Sequence, residues 1–118
     1  EYCRGGVVAY ADEAKVSILH VSWDTPNKFG AVSEQAVLEM GRGARTALHA
    51  DIAASISGIA GPSGGTESKP VGTVWLALAT PQGEWTRSQH FSGNRKQIKA
   101  ASADAALQFV LDYLQGAL

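Results

Sequence analysis

Apolar residues recur along the chain at two spacings. GGVVAY, residues 5–10, is short and β-branched and predicts a buried strand. DIAASISG (51–58) and TVWLALAT (73–80) predict a second and a third buried strand. Pro81-Gln82-Gly83 predicts a turn, and EWTRSQHF (84–91) alternates as a half-exposed fourth strand in a hairpin with the third. Helical spacing appears three times. In ADEAKVSILHV, Asp12 is a candidate cap and Ala14, Val16, Ile18 and Leu19 face inward. Ser33 opens the clearest helix, with Glu34 in its first turn and Ala36, Val37, Met40, Ala44, Ala47 and Leu48 at helical spacing. Asn94 caps a last helix running to about Leu114, with Ile98, Ala101, Ala105, Leu107, Val110, Leu111 and Leu114 on its apolar side. SWDTPNKFG (22–30) carries turn chemistry and reads as a connection. The order β-α-α-β-β-β-α predicts an α/β fold, a mixed sheet covered by helices. Gly41 and Gly43 each weaken their helix by roughly 1 kcal/mol relative to alanine, a cost that close packing against a neighbour would explain.

Composition narrows the class. The chain has 118 residues, enough for one domain with one core, and no repeat or linker divides it. A net charge of -1 argues against a dominant electrostatic attraction to nucleic acid or to an anionic membrane. No apolar run approaches the roughly 20 residues of a membrane helix. Cys3 is the only cysteine; it reads as a small buried hydrophobe rather than a nucleophile and mildly favours a reducing compartment. His20, His49 and His90 are far apart and have no ligand-spaced partners, which argues against zinc. Trp23, Trp75 and Trp85 read as core or interface residues.

The segment SGIAGPSGGTESKPVG, residues 57–72, is the longest irregular stretch. It leaves the carboxyl end of a strand, where open α/β sheets tend to bind ligands. Its glycines permit close approach of main-chain N–H groups to an anion. It lacks the GK[ST] of a Walker A loop, and no helix opens directly after it as GxGxxG requires. A ligand loop and a purely structural turn both remain open. Lys69 inside it either touches a phosphate or is solvated.

GGVVAYADEAK, FGAVSE, SGIAGPSGGTESKPVGTVWLALAT and FSGNR occur in an order that resembles the CinA C-terminal domain family, also called the nicotinamide-nucleotide amidohydrolase or PncC family. The resemblance runs from residue 5 to the last helix. It implies a three-layer α/β/α sandwich that hydrolyses the carboxamide of nicotinamide mononucleotide to nicotinic acid mononucleotide and ammonia, in pyridine nucleotide recycling. It further implies a cytoplasmic bacterial enzyme with a small-molecule substrate, no cofactor, no direct nucleic-acid partner, no membrane attachment and a tendency to form homo-oligomers. The family's proposed catalytic group is a serine nucleophile with a lysine and a supporting tyrosine. Tyr10 and Lys15 match the tyrosine and lysine of its Y-[SA]-[ND]-E-A-K motif. An amine serves as a base near neutral pH when burial or a nearby cation favours its neutral form. A tyrosine hydroxyl can relay a proton or bind a developing oxyanion.

Substrate contacts carry over where motifs match. Ser57, with the Gly58 and Gly61 main chain, is a candidate for recognition of phosphate or amide. Arg95 matches the arginine of G-[DN]-R, and a guanidinium can hold a phosphate through two parallel hydrogen bonds. Arg95 also sits in the first turn of a helix, a poor place for a cation unless an anion is near. Ser33 is a helix cap or a ligand contact. Taken without the family, Tyr10 reads as an amphipathic core residue and Lys15 as a solvated one. One departure stands out. The family's serine lies ten residues before its tyrosine, which falls one position before Glu1, and the S-C-T-G-G motif is missing. The expectation is one domain over residues 1–118, N-terminally incomplete. Cleavage beside the serine, or descent as a degenerate paralogue, would also leave a chain without that hydroxyl. The competing function is a non-catalytic nucleotide-binding or regulatory domain of a competence- or damage-inducible CinA protein.

Overall fold

In the computed structural model, which describes residues 3–9, 15 and 17–118, the run TVWLALAT forms the central strand. The strands are β1 (Ala53–Gly58), β2 (Thr73–Thr80) and β3 (Gly83–His90). They form one sheet in the order β1-β2-β3, antiparallel throughout, with Ser55 opposite Ala77 and Leu78 opposite Trp85. The helices are α1 (Asp24–Phe29), α2 (Glu34–Ala47) and α3 (Arg95–Leu114).

Alternation along β2 separates the two faces. Val74, Leu76 and Leu78 meet Ile98 and Phe109 of α3 in the main core. On the opposite face Ser55, Ala77 and Ala79 are small, and α2 settles close to the sheet there. A β-carbon added at Gly41 would lie 3.3 Å from Ser55 Oγ and 3.6 Å from Ala79 Cβ. The Ser55 hydroxyl donates to the Val37 carbonyl at 2.6 Å, which satisfies a polar group buried under the helix. The expected helix-sheet-helix layering is therefore present.

β3 ties the layers together at its side. The Arg87 guanidinium lies 4.3 Å over the Phe109 ring and pairs with Asp112 at 2.9 Å. Arg42 of α2 grips Glu84 with two parallel bonds of 2.7 Å. That guanidinium holds the Glu84 carboxyl below the usual carboxylate range, and the carboxylate in turn raises Arg42.

Several sequence expectations need correction. Residues 5–9 of GGVVAY form no strand; Val8 is 81% exposed. A β-branched run needs a ladder partner, and residues 3–9 run beside β1 across open cavities instead of bonding to it. The mixed character of the sheet thus has no counterpart among the described residues. Cys3 is exposed. The connection SWDTPNKFG contains a helix, α1, because Pro26 falls in its first turn, where a missing N–H costs nothing. β1 is buried on one face only, with Ala54 and Ile56 exposed. Leu107, Leu111 and Leu114 of α3 are exposed, while Phe109, not singled out from sequence, is buried. Ala47 of α2 and Ile18 are exposed as well. The caps hold: Ser33 Oγ accepts from Ala36 N, and Asn94 forms a reciprocal capping box with Gln97. Tyr10, Asp12, Ala14 and Val16 lie outside the described residues.

Candidate functional site

The glycine segment starts where β1 ends and is built as a closed loop. Its base is clamped by Ile59 N to Thr73 O at 2.9 Å and Gly72 N to Ile59 O at 2.7 Å. A turn over 66–69 is closed by Thr66 N to Lys69 O at 2.9 Å and Lys69 N to Thr66 Oγ1 at 3.0 Å. Gly61 has φ +78, and a β-carbon there would stand 2.5 Å from Val71 Cγ1. Only glycine suits both the left-handed backbone and the contact. The loop is therefore ordered by its own backbone.

Two cationic side chains tie the loop to its surroundings, Arg95 from outside it and Lys69 from within it. Arg95, at the start of α3, donates from Nη1 to the Gly61 carbonyl at 3.1 Å. Lys69 donates from Nζ to the Phe29 carbonyl, at the end of α1, at 2.6 Å. Neither of the two sequence readings of Lys69, a phosphate contact or a solvated amine, describes that arrangement. The Ser57 hydroxyl donates to the Ala31 carbonyl at 2.7 Å and keeps its lone pairs for a ligand donor.

Beside the loop lies a cavity of about 420 Å³. Its walls are apolar, from Val7–Ala9, Ile56, Val74 and Ile98, and it also includes Gly58, Arg95 and Lys99. The charged groups in that lining are both cations. Such a space suits a ligand with an anionic end and a flat or apolar body. Of the sequence candidates, Gly58 and Arg95 meet in this lining, and Gly61 lies next to it, its carbonyl accepting from Arg95. Ser57 points instead to the α1–α2 connection. Lys15 is buried, 5% exposed, on a helical turn whose carbonyl accepts from Leu19 N at 3.2 Å and Val21 N at 3.0 Å. It is not part of the lining of this cavity. Tyr10 lies outside the described residues. Lys99 and Ser102 were not singled out from sequence. The four-residue step from Arg95 to Lys99, which places both on one helix face, was the available signal. Ser33 is a cap: its hydroxyl accepts from Ala36 N at 3.2 Å and donates to Gly30 O at 2.9 Å. Among the described residues no group of three or more His, Cys, Asp or Glu side chains could hold a metal, and no helix is long and apolar enough to cross a membrane.

Comparison with known proteins adds to this geometry. The family model for the CinA C-terminal domain matches residues 1–114. A nicotinamide-nucleotide amidohydrolase PncC of Escherichia coli K12 is 52% identical over 104 residues, 87% of this chain and 63% of that protein. A CinA-like protein of Thermotoga neapolitana is 52% identical over 111 residues, 94% of this chain and 27% of that protein. Among solved structures, a competence or damage-inducible protein from Enterobacter asburiae superposes with a TM-score of 0.87 at 39% identity, covering 92% of this chain and 69% of that one. The Agrobacterium tumefaciens protein CihA gives 0.85 at 37%, covering 88% and 64%. This chain spans less than two thirds of either curated relative. On the family match over residues 1–114 and on these relatives, the chain belongs to the CinA C-terminal domain family.

Proposed function

We propose that the chain is the hydrolytic unit of a cytoplasmic nicotinamide-nucleotide amidohydrolase serving pyridine nucleotide recycling. It would convert the carboxamide of nicotinamide mononucleotide to the carboxylate, with release of ammonia. The observation that carries this reading is the 52% identity to E. coli PncC over 104 residues. The cation-rimmed, apolar-walled cavity beside the glycine loop supports it, because the substrate pairs an aromatic amide with a phosphate.

The residues take the following roles. A serine hydroxyl ten positions before Tyr10 attacks the carboxamide carbon as the Lys15 amine accepts its proton. The Tyr10 hydroxyl hydrogen-bonds the oxyanion of the tetrahedral intermediate. The proton held by Lys15 passes to the departing nitrogen, which leaves as ammonia. Water then attacks the acyl ester with the same amine as base, giving the acid and restoring the serine. Arg95 and the Gly58 and Gly61 main chain hold the phosphate, and Ser57 fixes the start of the loop through the Ala31 carbonyl. The test is incubation of the complete protein with nicotinamide mononucleotide. Ammonia and nicotinic acid mononucleotide are expected in equal amounts. Tight binding without product would refute the hydrolytic reading and favour a nucleotide-binding regulatory domain.

A further inference from the structure

The geometry points to Lys69 as a positioning residue for the substrate-binding loop, acting through the turn between α1 and α2; this rests on the proposed amidohydrolase function. Three successive residues of that turn carry the coupling. The Phe29 carbonyl accepts from Lys69 Nζ at 2.6 Å. Gly30 leaves room for the amine: a β-carbon there would stand 3.0 Å from Nζ, and its φ of +84 already favours glycine. The Ala31 carbonyl accepts from the Ser57 hydroxyl at 2.7 Å. Lys69 and Ser57 thus grip carbonyls two residues apart, one from the far end of the loop and one from its first residue. The turn is itself fixed to α2, because Ser33, the cap of that helix, donates to the Gly30 carbonyl at 2.9 Å.

The coupling has a physical reason. The other loop bonds named above run within the loop, to β2 or to α3. Arg95 holds the loop at Gly61 from the α3 side, and Lys69 holds it from the α1 side. A donor carrying full charge forms a stronger bond to a carbonyl than a neutral one does. Here the acceptor is also the final carbonyl of a helix, where positive charge is favoured. Removing the amine releases the Phe29 carbonyl and loosens the turn at that end, two residues from the carbonyl that orients the Ser57 hydroxyl. Because Lys69 touches the turn rather than the reacting amide, its loss should weaken substrate binding and leave the chemical step alone.

The test uses the complete protein with Lys69→Met, Lys69→Arg and Gly30→Ala, measured by steady-state kinetics and by hydrogen exchange over residues 29–31 and 57–66. Lys69→Met is expected to raise KM about tenfold, the typical worth of one charged hydrogen bond, with kcat within twofold of the wild type. Lys69→Arg should recover most of the KM, and Gly30→Ala should behave like Lys69→Met. Exchange in both segments should quicken in Lys69→Met and return with arginine. Equal KM values in the wild type and Lys69→Met, or no rescue by arginine, would overturn the assignment. So would a fall in kcat at constant KM. If the wild-type protein shows no amidase activity, exchange still decides: faster exchange in Lys69→Met upholds the clamp while the functional reading fails, and unchanged exchange sinks the clamp.

Discussion

Replacing Gly43 by alanine tests how the lysine-bearing turn is seated. Gly43 lies in the middle of α2, where alanine normally gains about 1 kcal/mol over glycine. Here a β-carbon would stand 1.6 Å from the Leu19 carbonyl oxygen, less than half an ordinary contact distance. The obstacle is backbone, so no rotamer relieves it. The backbone cannot easily retreat either, since Leu19 and Val21 are 2% and 1% exposed and both donate to the Lys15 carbonyl. Overpacking of this kind costs about 1–3 kcal/mol or more. The upper part of that range exceeds the helix gain, and a net loss of about 2 kcal/mol is expected. Gly41 is the control, two residues away in the same helix. Its added carbon meets Ser55 Oγ at 3.3 Å, so the neighbour shifts by tenths of an ångström and the helix gain roughly offsets the crowding. Urea unfolding followed by tryptophan fluorescence reads both. With a slope of about 1–3 kcal/mol/M, Gly43→Ala should lower the midpoint by about 1 M while Gly41→Ala stays near the wild type. Equal midpoints for the two variants, or a stabilised Gly43→Ala, would refute the packing argument.

The core assignment is checked in α3. Phe109→Ala should cost about 3–5 kcal/mol in unfolding free energy, because the ring is 1% exposed. Leu107→Ala, at a side chain 70% exposed, should change stability by less than about 0.5 kcal/mol. The Arg42–Glu84 pair makes a pH prediction. The Glu84 carboxyl is held below its ordinary value, chiefly by the hydrogen bond from Arg42, so its contribution is present above about pH 4.5 and is lost as pH falls through the lowered value. Both side chains are part exposed, at 56% and 31%, so Glu84→Gln should cost no more than about 1 kcal/mol at neutral pH. The gap between the unfolding curves of the two proteins should narrow progressively as pH falls below about 4.5; a gap that stays constant through the acid range would contradict the assignment.

Much of this fold was legible from local signals. The hairpin of β2 and β3 and the caps at Ser33 and Asn94 follow from turn and capping chemistry, which depends on neighbours in the chain. The failures share a cause: they depended on what covers a surface. GGVVAY has strand composition, but composition does not supply the ladder partner that residues 3–9 lack. The last helix is apolar on more than one side, so periodicity could not choose between the Leu107–Leu111–Leu114 row and the Ile98–Ser102–Phe109 row. The Leu76–Leu78 face of β2 made that choice. Pro26 reads as a breaker and is tolerated because it falls in a first turn. At the site, the resemblance supplied Ser57, Gly58, Gly61 and Arg95. The long-range bonds of Lys69 and Ser57 to carbonyls 29 and 31 were not legible, since any backbone carbonyl can accept and none leaves a mark in sequence.

If Lys15 is the base of the proposed amide hydrolysis, Lys15→Met should abolish most turnover, because it removes the amine and keeps the apolar stem in a buried position. Ammonia release from nicotinamide mononucleotide is measured for the complete protein and for this variant, alongside binding of nicotinic acid mononucleotide. A kcat lower by about two to four orders of magnitude is expected, with product affinity within about threefold. A variant that turns over at the wild-type rate would contradict that role for Lys15.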